Sequence, residues 1–231
     1  MLDHKEMEAI AAGRKRTYGV LAQLYTAPPS GALAEMIREG GLLDGIGNSV
    51  FSAAANDLTA FFRDTASAEN QDNELVAEYT RLFVLPSGVV PHESIYLDEY
   101  KRLGGRVTVG VQQAYQDAGA QFTEACLELP DHIGVELEFM QFLCDIEEQF
   151  WKEPNWDGLQ KSLDFQNGFL TEHLLRWHQP LCEKVLNETA SDLYQALSRL
   201  TIEFLEAERE FVPELTNEIH TEWRETCVPE S

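Results

Sequence analysis

The run Pro130-Asp131-His132-Ile133-Gly134-Val135-Glu136-Leu137-Glu138-Phe139-Met140 holds the residue types in this chain best able to do chemistry. A carboxylate beside an imidazole can relay a proton, ligate a metal or bind a cation. The proline stops whatever precedes it. Asp131 is then predicted to cap a new helix by accepting from its first free N–H groups. That places His132 in the first helical turn, at the electropositive end of the helix. Ile133, Leu137, Met140 and Cys144 recur at helical spacing and predict a buried face. His132 and Glu136 are four apart and share a face. A helical metal-dependent hydrolase would use Asp131, His132 and Glu136. Such a site normally draws three or four suitable ligands. His173 and His178, five apart, fall on different faces, and His4 and His220 lie in end segments. The chain has no G-x-x-x-x-G-K-[ST] loop and no G-x-S-x-G elbow. No catalytic residue, metal or cofactor is assigned.

A second stretch reads Glu78-Tyr79-Thr80-Arg81-Leu82-Phe83-Val84-Leu85-Pro86, followed by Pro91-His92-Glu93-Ser94-Ile95-Tyr96. Loops are mostly polar, yet this one carries Val84, Leu85, Val89 and Val90 between two prolines. An apolar loop held that way either tucks into the core or offers a sticky surface.

The elements that must position these residues are helical. Val20, Leu21, Leu24 and Tyr25 belong to a helix over 5–25 that ends before Pro28-Pro29. A short helix over 33–39 closes at Gly40-Gly41, and Asn48 or Ser49 starts another carrying Phe51, Leu58, Phe61 and Phe62. Asp72 or Asn73 caps a segment with Leu75, Val76, Tyr79, Leu82 and Phe83. A helix with Val107, Val111 and Tyr115 lies between Gly104-Gly105 and Gly119, and the Asp131 helix runs to Trp151. Asp157 starts the next, through Phe169 to His178. Pro180 begins a further piece. Leu193, Leu197, Leu200 and Phe204 form a clean stripe, and 213–225 reads as a separate amphipathic helix. No strand, repeat or low-complexity tract is visible. The fold class is all-α, one helical bundle over 1–231 with about ten helices at ordinary helix length. The least helical stretch in its middle, Leu127 to Pro130, is a candidate hinge, and such hinges permit domain swapping. Monomer and swapped homodimer both fit.

The charge narrows the partners. Forty acidic and 17 basic side chains give a formal net charge of -23. Nucleic acid and anionic membrane surfaces are poor partners for such a chain, and a cationic peptide is a good one. The cysteines, Cys126, Cys144, Cys182 and Cys227, form no C-x-x-C pair and fit a reduced compartment. The first ten residues carry charges of both signs and do not read as a secretory signal. No window has the ~18 apolar residues of a membrane span.

Taken together, E-Y-x-R-L-F-x-x-P at Glu78 to Pro86, P-H-E-S-I-Y at Pro91 to Tyr96, L-G-G at Leu103 to Gly105 and P-D-H-I-G-V-E-L-E-F-M at Pro130 to Met140 resemble the TorD/DmsD/NarJ family. F-L-x-x-H-L-L-x-W at Phe169 to Trp177 and L-Y-x-A-L-x-x-L-x-x-x-F-L at Leu193 to Leu205 extend the likeness over Arg16 to Leu205. The resemblance implies an all-helical, cytoplasmic, non-enzymatic maturation chaperone. Its partner would be the precursor of a molybdopterin oxidoreductase catalytic subunit, gripped with its twin-arginine signal peptide before cofactor insertion and export. It also implies a peptide site at Tyr79, Leu82, Phe83, Pro91, His92, Glu93, Ser94, Tyr96, Gly104, Gly105, Asp131 and His132. Tyr79 and His92 depart from the branch that carries tryptophan. Guanine nucleotide binding, associated with some members, has no phosphate-cradling loop here and is not assigned. An apolar wall of Leu82, Phe83, Val89, Val90 and Tyr96, edged by Asp131, Glu93, Asp98 and Glu99, suits arginines joined to an apolar run. Asp131 then has two candidate jobs, cap and ligand. A purely structural helical adaptor is the remaining alternative.

Overall fold

A computed structural model describes residues 3–38, 52–64, 71–121 and 128–227. Among these the chain forms ten α-helices: α1 His4–Thr26, α2 Gly31–Arg38, α3 Ser52–Asp64, α4 Gln71–Tyr79, α5 Glu93–Leu97, α6 Arg106–Asp117, α7 Ile133–Lys152, α8 Trp156–Phe169, α9 Leu175–Glu188 and α10 Asp192–Cys227. Two π-helical turns, Thr80–Val84 and Leu170–Leu174, continue α4 and α8. The all-α expectation holds. The only extended pairing among the described residues is one antiparallel bridge, His92 to His132.

The centre of the molecule is α1 against α7. Arg14 meets Glu147 and Lys15 meets Asp145, while Gly19 lies at Gln141 and Gly134 at Ala22 and Thr26. Numbers rising on one helix fall on the other, so the pair is antiparallel. Gly134 permits the close approach, because a Cβ there would collide with the Thr26 methyl and sit 3.0 Å from Ala22 O. Asp3 starts α1 by accepting from Lys5 N at 2.9 Å. The periodic residues Ile133, Leu137, Met140 and Cys144 are all fully buried, as is the stripe Leu193, Leu197, Leu200 and Phe204 on α10. Around the N-terminal end of α1 a second cluster gathers Met7, Ala11, Trp151, Leu159, Leu163, Leu215 and Ile219. The functional motifs gather at its other end.

Several boundaries differ from the sequence expectation. Helix α4 begins at Gln71, so Asp72 and Asn73 lie inside it rather than capping it. The helix expected to run from Asp157 to His178 starts at Trp156, with Asn155 accepting from Gly158 N at 3.0 Å, and changes register at the π-turn. Pro180 does not begin a piece but lies inside α9, exposed, where its missing N–H removes one helix bond. Pro213 likewise lies within the continuous α10. Cys144 and Cys182 are buried and free. The expected helix start at Asn48 or Ser49, the Gly40-Gly41 stop, Phe51, Cys126, Leu127 of the candidate hinge and the Cys227 side chain lie outside the described residues. No described helix is long and apolar enough to cross a membrane.

Candidate functional site

The two motif loops are stitched together through their backbones. Ile133 N donates to Pro91 O at 2.9 Å, and Glu93 N donates to Asp131 O at 2.8 Å. These are the bonds of the His92–His132 bridge. Each loop then turns directly into a helix, α5 after His92 and α7 after His132. The caps are exchanged relative to the sequence expectation. His132, not Asp131, is the N-cap of α7: its Nδ1 accepts from Gly134 N at 3.0 Å. Asp131 caps the other helix, its Oδ2 accepting from Ser94 N in the first turn of α5 at 3.0 Å. His132 therefore precedes the first helical turn. Ser94 passes the linkage on, its Oγ accepting from Gly104 N at 3.0 Å. Gly104 and Gly105 adopt φ of 87° and 82°, a region glycine enters freely, and lead into α6. Tyr115 on α6 closes the ring by donating to Pro130 O at 2.8 Å.

The electrostatics follow from burial. Asp131 is fully buried, yet the His92 ring and the Ser94 N–H hold its carboxyl well below the usual range, against the opposing effect of burial. Its Oδ1 lies 3.7 Å from His92 Nδ1, beyond hydrogen-bond length, and both atoms are buried without a partner. Burial, with the nearby His92, pushes His132 down to about 3, so its imidazole is neutral. A neutral ring whose Nδ1 accepts a hydrogen bond carries its proton on Nε2. Glu136 does not face His132. It accepts from Trp177 Nε1 at 3.1 Å, and burial beside Glu93 pushes its carboxyl well up. Glu93 is held by His173 Nδ1 at 3.0 Å, from the second π-turn. Asp131, His132 and Glu136, the expected hydrolase set, are each engaged with different partners.

The apolar half of the expected site divides. Leu82 and Val89 are core, not wall. The cause is the Thr80–Val84 π-turn, which brings the chain back sharply: Val89 N donates to Leu82 O at 2.6 Å, and a Cβ on Gly88 would stand 2.6 Å from Arg81 O. Val84, Leu85 and Val90 remain exposed, with Leu129 from the other motif. Phe83 is half-buried, its ring 5.9 Å from Tyr25, 5.5 Å from Tyr79 and 5.7 Å from Tyr194. Tyr79 donates to Tyr25 O at 3.3 Å, and burial with the Glu128 charge pushes its phenol up to about 12. The last turn of α1 thus touches both halves, Tyr25 at Phe83 and Thr26 at Gly134. Tyr96 packs on Trp177, 5.4 Å between rings, under the Lys184 ammonium.

Of the four expected acidic acceptors, Asp131 and Glu93 are buried and internally bonded. Asp98 accepts from Tyr100 N and Arg102 N in its own turn. Glu99 alone is exposed. Sequence reasoning passed over Glu128, which is exposed and whose carboxylate lies within 4.8 Å of ring nitrogens of His92 and His132. It set His173 aside and passed over the buried Arg14. The E-x-P-D-H spacing was the available signal for Glu128.

Comparison with known proteins places the chain. The family model described as nitrate reductase delta subunit matches residues 48–183. A Vibrio cholerae protein named chaperone protein TorD is 26% identical over 149 residues, 64% of this chain and 66% of the relative. A Vibrio parahaemolyticus protein of the same name is 24% identical over 165 residues, 70% and 75% of the two chains. The chain thus spans just under two thirds of the first relative's length. A crystal structure of an Archaeoglobus fulgidus protein, named for redox enzyme maturation, has the same fold, with TM-score 0.53, 21% identity and coverage of 83% and 93%.

Proposed function

Because this chain belongs to the nitrate reductase delta subunit family, which includes the TorD chaperones, we propose that it is a maturation chaperone for a molybdopterin-dependent oxidoreductase. It binds the catalytic subunit before cofactor insertion and recognises its twin-arginine signal peptide, and it does so in the cytoplasm without catalysis. The reading is supported above all by one observation: the Pro91–Ser94 and Pro130–Glu136 segments, about forty residues apart in sequence, are joined by reciprocal backbone bonds and an exchanged helix cap. A frame of that kind holds loops still for a partner, and preorganised loops lose less entropy on binding. Beside it stand exposed Val84, Leu85, Val90 and Leu129, and the chain around them is acidic. An apolar surface in a negative field suits a segment that joins arginines to an apolar run.

Co-expression tests the proposal. The tagged chain is produced with the oxidoreductase catalytic precursor encoded beside it, with and without the signal peptide. Co-purification of the apo-precursor, and its weakening on signal removal, is the expected result. A chain that retains neither form, while itself folded by circular dichroism, would overturn the proposal.

A further inference from the structure

We propose that Glu93 and Glu136 share one buried proton, and that this proton makes Glu136 a positioning residue for the two motif loops; the inference rests on the peptide-binding reading above and concerns what holds its frame together. The starting point is a contact between two acids. Glu93 and Glu136 are both buried, and their carboxyl groups lie within hydrogen-bond reach of each other between α5 and α7. An ionised carboxylate can only accept. Two carboxylates in contact and out of water cannot both be ionised, so one of them keeps its proton. The surrounding donors show which. Glu93 is already met by His173, whose Nδ1 lies 3.2 and 3.0 Å from its two oxygens. Glu136 accepts at Oε2 from Trp177 Nε1, and its Oε1 is buried with no donor reaching it among the described residues. A proton on Glu136, donated to Glu93, completes that orphaned oxygen and leaves the single charge beside the imidazole. The buried Asp131 charge, on the turn before α7, opposes a second anion and favours the same arrangement.

The pair sits where the loops become helices. Glu93 is the first residue of α5, and its N–H donates to Asp131 O in the backbone bridge. Glu136 lies in the first turn of α7, and its N–H donates to His132 O. The bridge and the shared proton therefore fasten the same two helix starts, one through the main chain and the other through side chains. His173 ties the pair to the Leu170–Leu174 π-turn, and Trp177 ties it to α9. The groups packed around it bring few charges of their own. Gly110 of α6 and Phe169 of α8 flank the His173 ring. Tyr96 of α5 packs on Trp177 with the Lys184 ammonium over its outer face, and His92 is turned to Asp131, 3.7 Å away. Loss of the proton would set two anions against each other where water does not screen them, and the repulsion would act directly on the spacing of α5 and α7. Burial first, and then the Glu93 charge, push the Glu136 carboxyl well above its ordinary range, so the lock is closed in acid and opens as pH rises through that raised value.

The test joins infrared spectroscopy, amide hydrogen exchange and peptide titration. Ordinary carboxyls are ionised at neutral pH, so wild type should show a protonated-carboxyl band there that Glu136→Gln removes. Glutamine keeps a donor toward Glu93 and an acceptor for Trp177, whereas leucine keeps neither. A labelled peptide carrying adjacent arginines before an apolar run should bind Glu136→Gln within about twofold of wild type. It should bind Glu136→Leu about tenfold more weakly, as for a lost charged hydrogen bond. As pH is raised until the band disappears, wild-type affinity should fall over the same interval and that of Glu136→Gln should not. Exchange at the Glu93 and Ile133 amides, the two donors of the bridge, should quicken over that interval beyond its intrinsic pH dependence, again in wild type alone and with no peptide present. A missing band, or a band whose loss leaves affinity and exchange unaltered, overturns the proposal. So does a Glu136→Gln that binds as weakly as Glu136→Leu, or that follows the wild-type pH profile. If Glu136→Leu does not fold, the band and the Glu136→Gln profile decide. Band and exchange need no partner. If both behave as expected while wild type captures neither peptide nor co-expressed precursor, the peptide-binding reading fails and the shared proton stands. If the precursor is captured and the band is missing, the shared proton alone fails.

Discussion

At the scale of single residues, the candidate site is a set of protonation states imposed by burial. His132 makes the clearest case. An unfolded histidine takes up a proton below about pH 6.5. In the folded chain it resists until about pH 3, because burial and the nearby His92 disfavour the charge. Between those values the unfolded state binds more protons, so stability falls as pH falls, and it is fully present above pH ~6.5. Each unit is worth ~1.4 kcal/mol, which amounts to ~2 kcal/mol at pH 5. Asparagine at position 132 keeps an acceptor for the Gly134 N–H and does not titrate. His132→Asn should therefore lose ~2 kcal/mol less than wild type between pH 7 and pH 5, measured by urea denaturation. Equal losses in both proteins would place the acid sensitivity elsewhere. Asp131 works in the same sense in a more acidic window, since a depressed carboxyl contributes fully above the ordinary aspartate range and loses that contribution as pH falls below it.

At the scale of elements, the helices are held apart and together by buried polar contacts as much as by apolar stripes. Arg14 on α1 is fully buried. Its Nη1 meets Glu147 of α7 at 2.5 Å, its Nε meets Glu208 of α10 at 2.9 Å, and its Nη2 meets Gln166 of α8 at 2.6 Å. Tyr18 donates to Glu208 as well, at 2.8 Å. One cation serves two carboxylates across four helices. Arg14→Met leaves both acids buried without it and should cost ~3–5 kcal/mol. Arg14→Met with Glu208→Gln should recover part of that loss. Thermal and urea unfolding measure both, and a loss below ~1 kcal/mol for the single variant would mean the acids discharge freely. None of this was legible in the chain, where Arg14 sits among charged residues near a terminus. The core stripes of α7 and α10 were legible, because a 3.6-residue period survives in residue types. The π-turns were not, since a shift in backbone register leaves no mark on side-chain pattern. Pro180 and Pro213 misled for a related reason: a proline can remove one bond without ending the helix. The meeting of the two motifs was legible only through resemblance. Its geometry was not, because the bonds that make it are backbone bonds open to any residue. Glu128 escaped notice because it lies inside the stretch read as a hinge.

At the scale of the whole molecule, charge acts on folding and on recognition with opposite signs. With 40 acidic and 17 basic side chains, the folded chain gathers like charges that the unfolded chain spreads apart. The positive groups near the central helix pair are already engaged, Lys15 with Asp145 at 2.9 Å and Glu148 at 2.5 Å, and Lys152 with Glu148. The remaining repulsion is between exposed carboxylates and is screened by salt. Raising ionic strength from ~0.01 M to ~0.1 M shortens the screening length from ~30 Å to ~10 Å. The melting temperature should rise by a few degrees, at ~4–8 °C per kcal/mol in small domains and less in a chain of this size. Affinity for an arginine-bearing peptide should fall several-fold over the same interval, because the field that draws the peptide in is the field that strains the fold. Calorimetric scans and anisotropy titrations on one preparation separate the two effects. Binding that strengthens with salt alongside the fold would mean that the apolar residues Val84, Leu85, Val90 and Leu129 carry recognition alone, and that the acidic surface takes no part.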